Sequence, residues 1–167
     1  MRFTSAALTT SALVLAAAAV GQQNIYPPGG PGFLRVSLAD ADEGEFTGCL
    51  ADDGKWTVAD KCTEAFGNGQ GGLGTVSGWL ILDDDSTITT VTTTWSTSWL
   101  GTHADGNRNA SNLFTPTDDD DDGAPHGGPV WYAEAIPSGD DAVAVRGVKV
   151  NEGDVGISLF FHATLGE

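Results

Sequence analysis

Two groups of residues in this sequence have the type and spacing for chemistry: aspartates at alternate positions and aromatic rings at i, i+4. Asp118, Asp120, Asp122 and Gly123 reproduce the opening D-x-D-x-D-G of a calcium loop. Hard carboxylate oxygens at alternate positions suit Ca²⁺, and the glycine permits the turn. The twelfth position of that pattern, however, falls on Pro129, where a bidentate Glu belongs. Five adjacent aspartates, 118–122, also contain such alternations by chance. A Ca²⁺ site and a solvated acidic loop both remain open, and no other motif asks for a cofactor. Trp95 and Trp99 fall on one side of the β-branched run 87–100. With Tyr132 they offer flat faces on which pyranose rings stack, although the leading reading for the same rings is the core of a small β domain, where bulky rings are the main apolar payload.

Catalytic patterns are harder to find. The three histidines are His103, His126 and His162, and none has the paired spacing of a zinc site. Glu134 stands beside Trp131 and Tyr132, but in a strand it shares a side with Tyr132 alone. No pair of carboxylates declares the separation that glycoside hydrolysis needs. The expectation is a protein without catalysis.

The elements that would position these residues are strands. The stretch 48–66 holds both cysteines, and Asp52-Asp53-Gly54 between them is a turn signal. It predicts two short strands tied by a Cys49–Cys62 disulfide, with Cys49, Leu50, Trp56, Val58, Cys62 and Phe66 inward. Before it, 22–32 is Pro/Gly-rich and reads as an extended arm. Leu34, Val36 and Leu38 then alternate with Phe33, Arg35 and Ser37, the mark of a half-buried strand. Further strands are expected over 76–82, 87–100, 131–136, 142–150 and 155–165. Residues 101–128 form a polar, Asp-rich insertion. About seven short strands between turn signals predict an all-β fold: one antiparallel sandwich or barrel spanning 33–167, with one disulfide.

Residues 1–21 read as a secretory signal peptide, with Arg2 ahead of an apolar run too short to span a bilayer and Ala19-Val20-Gly21 at the cleavage site. The expectation is a secreted, extracellular or wall-bound protein, in which paired cysteines are the rule. Asn109-Ala110-Ser111 is an N-glycosylation sequon. The formal net charge of −16 opposes phosphate backbones and anionic membrane surfaces, so neither nucleic acid nor membrane is an expected partner.

Gly48-Cys49-Leu50, Gly54-x-Trp56-Thr57, Cys62 and Phe66 stand in an order that resembles the C-terminal β domain of fungal secreted ribonucleases of the T-two family. Trp131 to Gly139 (WYAEAIPSG) resembles that domain's aromatic-x-A-x-A-x-P-S-G segment, and a valine-rich strand follows (Val143, Val145, Val148). Gly32 to Val36 fits its opening strand. The similarity brackets about residues 32–150 and is patchy between 68 and 130. The family's catalytic histidine motifs are missing: His103 precedes Ala-Asp-Gly, His126 Gly-Gly-Pro and His162 Ala-Thr-Leu. The resemblance therefore implies a fold and secretion but no catalytic residue, that is, a free-standing accessory domain. It implies a cell-wall-associated module that binds polysaccharide. A secreted effector-like protein that binds a host protein is the alternative, and a hydrolase of glycans or RNA ranks third.

Overall fold

The computed structural model describes residues 25–42, 44–60, 62–103, 110–115 and 130–164. Among them every regular element is a strand. In chain order these are β1 (Ile25–Tyr26), β2 (Gly29–Leu38), β3 (Gly48–Leu50), β4 (Trp56–Thr57), β5 (Glu64–Asn68), β6 (Leu73–Thr75) and β7 (Gly78–Leu82). They continue with β8 (Ile88–Val91), β9 (Leu100–His103), β10 (Ala110–Phe114), β11 (Trp131–Ala133), β12 (Ala142–Val143), β13 (Val145–Arg146) and β14 (Val155–Ala163). All pairings are antiparallel, in one sheet whose main path runs β1-β9-β10-β14-β2-β5-β6-β7-β8. The all-β class and the disulfide agree with the sequence; the strand count of 14 exceeds the seven expected.

β2 and β14 are the centre. They pair from Ile157↔Leu38 to Ala163↔Gly32; β14 alternates through its middle and β2 from Gly32 to Val36, after which Ser37, expected on the polar side, is buried as well. Leu34 and Val36 on β2, with Ile157, Leu159 and Phe161 on β14, point into the core. Phe33, Arg35, Ser158, Phe160 and His162 lie on the other side. Both strands are long enough to carry a second neighbour. β2 continues through β3 and β4 to β12, while β14 continues through β11 to β13. The two branches meet where Ala144 joins β12 to β13, and the sheet curls around its core as half a barrel.

Two tryptophans fill the middle of that curl. Trp99 and Trp131 stack at 5.4 Å between centroids, 23° from parallel. Trp99 Nε1 donates to the Leu80 carbonyl on β7 (2.9 Å), and Trp131 Nε1 donates to the Leu113 carbonyl on β10 (3.0 Å). Leu34, Leu50, Trp56, Leu73, Val145 and Leu159 close around them.

Several sequence expectations change here. The run 87–100 is not one strand: β8 ends at Val91, and the chain turns inward so that Thr97 Oγ1 accepts from Leu82 N and Trp99 N donates to Gly71 O, both at 2.8 Å. Burying Trp99 outweighs the β propensity of the threonines. The arm 22–32 is paired in part, β1 on β9 and the start of β2 on β5. Gly67 makes this close approach possible, since a Cβ there would collide with the Pro28 carbonyl. The polar insertion 101–128 contributes β10 and most of β9. The segment 142–150 splits because Val143 pairs with Trp56 while Val145 pairs with Ala133. Val58 and Phe66, expected inward, are exposed.

The Cys49–Cys62 disulfide forms with a sequence separation of 13. It ties β3 to the loop that returns from β4. By the loop-entropy relation, replacing both cysteines by alanine is expected to cost about 3 kcal/mol. Urea unfolding of the double variant against the native chain measures it.

Candidate functional site

The residues singled out in the sequence do not assemble into one site. Trp99 is 1% exposed, so it cannot offer a ring face to a sugar; the Trp95–Trp99 ridge is replaced by one core ring and one half-buried ring in the irregular segment after β8. Tyr132 is half-buried on β11 opposite Gly156, on the side of β14 that carries Phe160 and His162. Trp131, its neighbour, faces the core, as the alternation of a strand requires. Glu134 is exposed. Asp118, Asp120, Asp122, Asn109 and His126 lie outside the described residues. Cys49 and Cys62 form the predicted disulfide.

What the strands do bring together is an aromatic outer face. The ladder register places Pro31, Phe66, Gly74, Trp79 and Val91 in one row across β2, β5, β6, β7 and β8. Phe66 is 54% exposed. Trp79 lies over Gly74, where an added Cβ would stand 3.3 Å from the indole Cε3. A side chain at that position would lift the indole from the sheet. The next row holds His162, Phe33 and Glu64. Beyond it stand Phe160 and Arg35, opposite each other on β14 and β2. Phe46 caps this end, edge-on to Phe160 at 5.7 Å and to His162 at 4.9 Å. It is carried there because Thr47 N donates to Val36 O (2.8 Å) and Ser37 Oγ donates to Glu45 O (2.7 Å). The result is a strip of rings (Trp79, Phe66, Phe33, Phe160, Phe46), with Arg35 and Glu64 as the charged residues that these rows place along it.

Arg35 lies 5.9 Å from the Phe33 centroid, within cation–π range. It also points an Nη1 donor at Cys62 Sγ, 4.0 Å away. His162 is held below its ordinary value of 6.5. Loss of hydration is the main cause and the nearby Arg35 charge the second. Burial thus favours the neutral imidazole, and its Nε2 is sealed from water without a hydrogen-bond partner. Oδ1 of Asn112, opposite Phe160 on β10, is in the same condition.

A second feature is a shallow depression of about 510 Å³ beside the disulfide, where Asp52, Asp53 and Asp140 meet Thr57 and Cys62. Asp53 is paired with Lys55 at 2.6 Å. Partial burial raises its pKa, but the Lys55 hydrogen bonds and charge outweigh that and leave it lowered. Such a carboxylate is ionised at neutral pH and unsuited to act as a general acid. No group of three or more potential metal ligands forms among the described residues.

No family model matches this chain, and neither the curated proteins nor the solved structures contain a match.

Sequence reading missed Trp79 and misplaced Phe66. A usable signal was present. Phe33 and Phe160 each occupy the polar side of an alternating strand, and aromatic residues recurring on one outward side mark a patch and not a scattered apolar residue. The row from Phe66 to Trp79 was not legible, because it depends on register across three strands.

The neutral His162 has a consequence for stability. The unfolded chain takes up its proton as pH falls through about 6.5, while the fold resists. Stability contributed above that pH is therefore lost as pH falls through the depressed folded value. Thermal midpoints of the native chain should decline as pH falls below about 6.5, and His162→Phe should flatten that decline.

Proposed function

We propose that this chain is a secreted, non-catalytic module that holds cell-wall polysaccharide on its outer sheet face. The observation that carries this reading is the ring strip itself: Phe66 and Trp79 in one row and Phe33, Phe160 and Phe46 beyond them, on a rigid sheet. Flat rings suit the apolar faces of pyranoses, and a strand scaffold fixes their spacing in advance of binding. The net charge of −16 turns away phosphorylated and uronic-acid polymers. Glu64 is the carboxylate that the described strands place on this face; a second one at hydrolase spacing is not among their residues there, which favours binding over cleavage. The resemblance to the accessory domain of T-two ribonucleases points the same way. The platform of this reading is Phe66 and Trp79, in place of Trp95 and Trp99.

Intrinsic tryptophan fluorescence, titrated with soluble β-glucan, chitin oligosaccharides and mannan, tests it. Trp79→Ala and Phe66→Ala should each weaken the saturable response about tenfold, which corresponds to about 1.4 kcal/mol. Trp99→Phe should leave affinity unchanged, because the ring is sealed in the core. If no glycan moves the signal, or if the two strip variants bind as well as the native chain, polysaccharide binding is wrong.

A further inference from the structure

Asn112 Oδ1 and His162 Nε2 are both sealed and both unpartnered. They sit on adjacent strands, since Asn112 is opposite Phe160 and Ala110 is opposite His162. That makes Asn112 and His162 diagonal neighbours on the outer face, within side-chain reach of one another. Unpartnered buried polar groups destabilise a fold, so two on one short stretch of ladder ask for an explanation. Phe46 covers the His162 end, yet it is itself more than a third exposed, at 37%. Its backbone lies outside the strands and is tied to β2 at Glu45 and Thr47, so the ring alone is free to turn.

We propose that Asn112 and His162 form a polar subsite beneath Phe46, which swings aside to admit uncharged hydroxyl groups of a glycan lying along the ring strip. This rests on the polysaccharide reading above and adds the ligand's chemistry to it. Oδ1 only accepts, so the ligand must bring a donor. An ammonium group is a donor, but Arg35 stands next to Phe160 and opposes a second cation. A carboxylate or phosphate has no proton to give and meets an acidic protein. A hydroxyl donates to Oδ1, and a neighbouring hydroxyl satisfies Nε2 in either tautomer, because it both donates and accepts. The site therefore selects neutral sugars with adjacent free hydroxyls over deacetylated amino sugars and uronic acids. Phe46 then stacks on the ligand instead of sealing the empty site.

The test uses the full mature chain and three probes: a neutral β-glucan oligosaccharide, a chitosan oligosaccharide and an oligogalacturonate. Asn112→Leu and His162→Phe replace orphaned polar groups with apolar ones of similar size, so thermal midpoints should hold or rise. Both should bind the neutral oligosaccharide at least tenfold more weakly, and the native His162 Nε2 resonance should shift on its addition. Loss of binding in Phe66→Ala with none in Asn112→Leu or His162→Phe would leave the strip standing and overturn the subsite. Preference for chitosan or oligogalacturonate would overturn the hydroxyl assignment. Absence of binding to all three probes would overturn both readings. Should either variant fail to fold, an unmoved native Nε2 resonance under saturating glucan overturns the subsite on its own.

Discussion

The stack of Trp99 on Trp131 ties together strands that lie far apart in the sheet. Trp99 hydrogen-bonds a carbonyl of β7, and Trp131 one of β10. In the main path those strands are separated by β14, β2, β5 and β6. A flat sheet would leave both indoles in water; curling lets them meet and buries two large rings with their N–H groups satisfied. The remaining core is made of side chains that point to the same concave side.

Because a strand offers only two sides, filling the concave one commits the rest of β2, β5, β7 and β14 to the convex one. Polar residues alone would suffice there. Instead the convex side carries Phe33, Phe66, Trp79 and Phe160, and it spends a glycine, Gly74, on letting an indole lie flat. Trp79 over Gly74 also protects a backbone stretch that lacks its own side chain, the arrangement known to rescue glycine in sheets. The convex face thus has a structural logic of its own, and its exposed members are the part that core packing does not explain.

How much of this could be read from the sequence depended on whether the information was local. The alternation of Leu34 and Val36 against Phe33 and Arg35 is local, and it placed every one of these residues correctly. So did the Cys49–Cys62 pairing, which rests on two cysteines and a turn between them. The run 87–100 was misread as one strand because its β propensity is local while the pull of Trp131 on Trp99 is not. Ala142 to Val150 was misread for a related reason: its alternation is genuine, yet its two halves serve different partners. The candidate site was the least legible of all. Phe66 and Trp79 become neighbours only through β6, whose short Leu73–Thr75 sequence carries little strand signal.

The central ladder has a further effect, on the order in which the fold can be made. Among the described residues β2 is the first long strand and β14 the last, and they pair along most of their length. During synthesis β5, β6, β7 and β8 emerge soon after β2 and can zip onto it as a meander. Leu34 and Val36 stay uncovered on their other edge until β14 arrives, and Trp99 waits for Trp131. Closing so long a loop adds only slowly to the entropic cost, but it places the decisive contacts at the end of the process. Until β14 pairs, the described strands lack their central ladder, and β14 works as the closing stave.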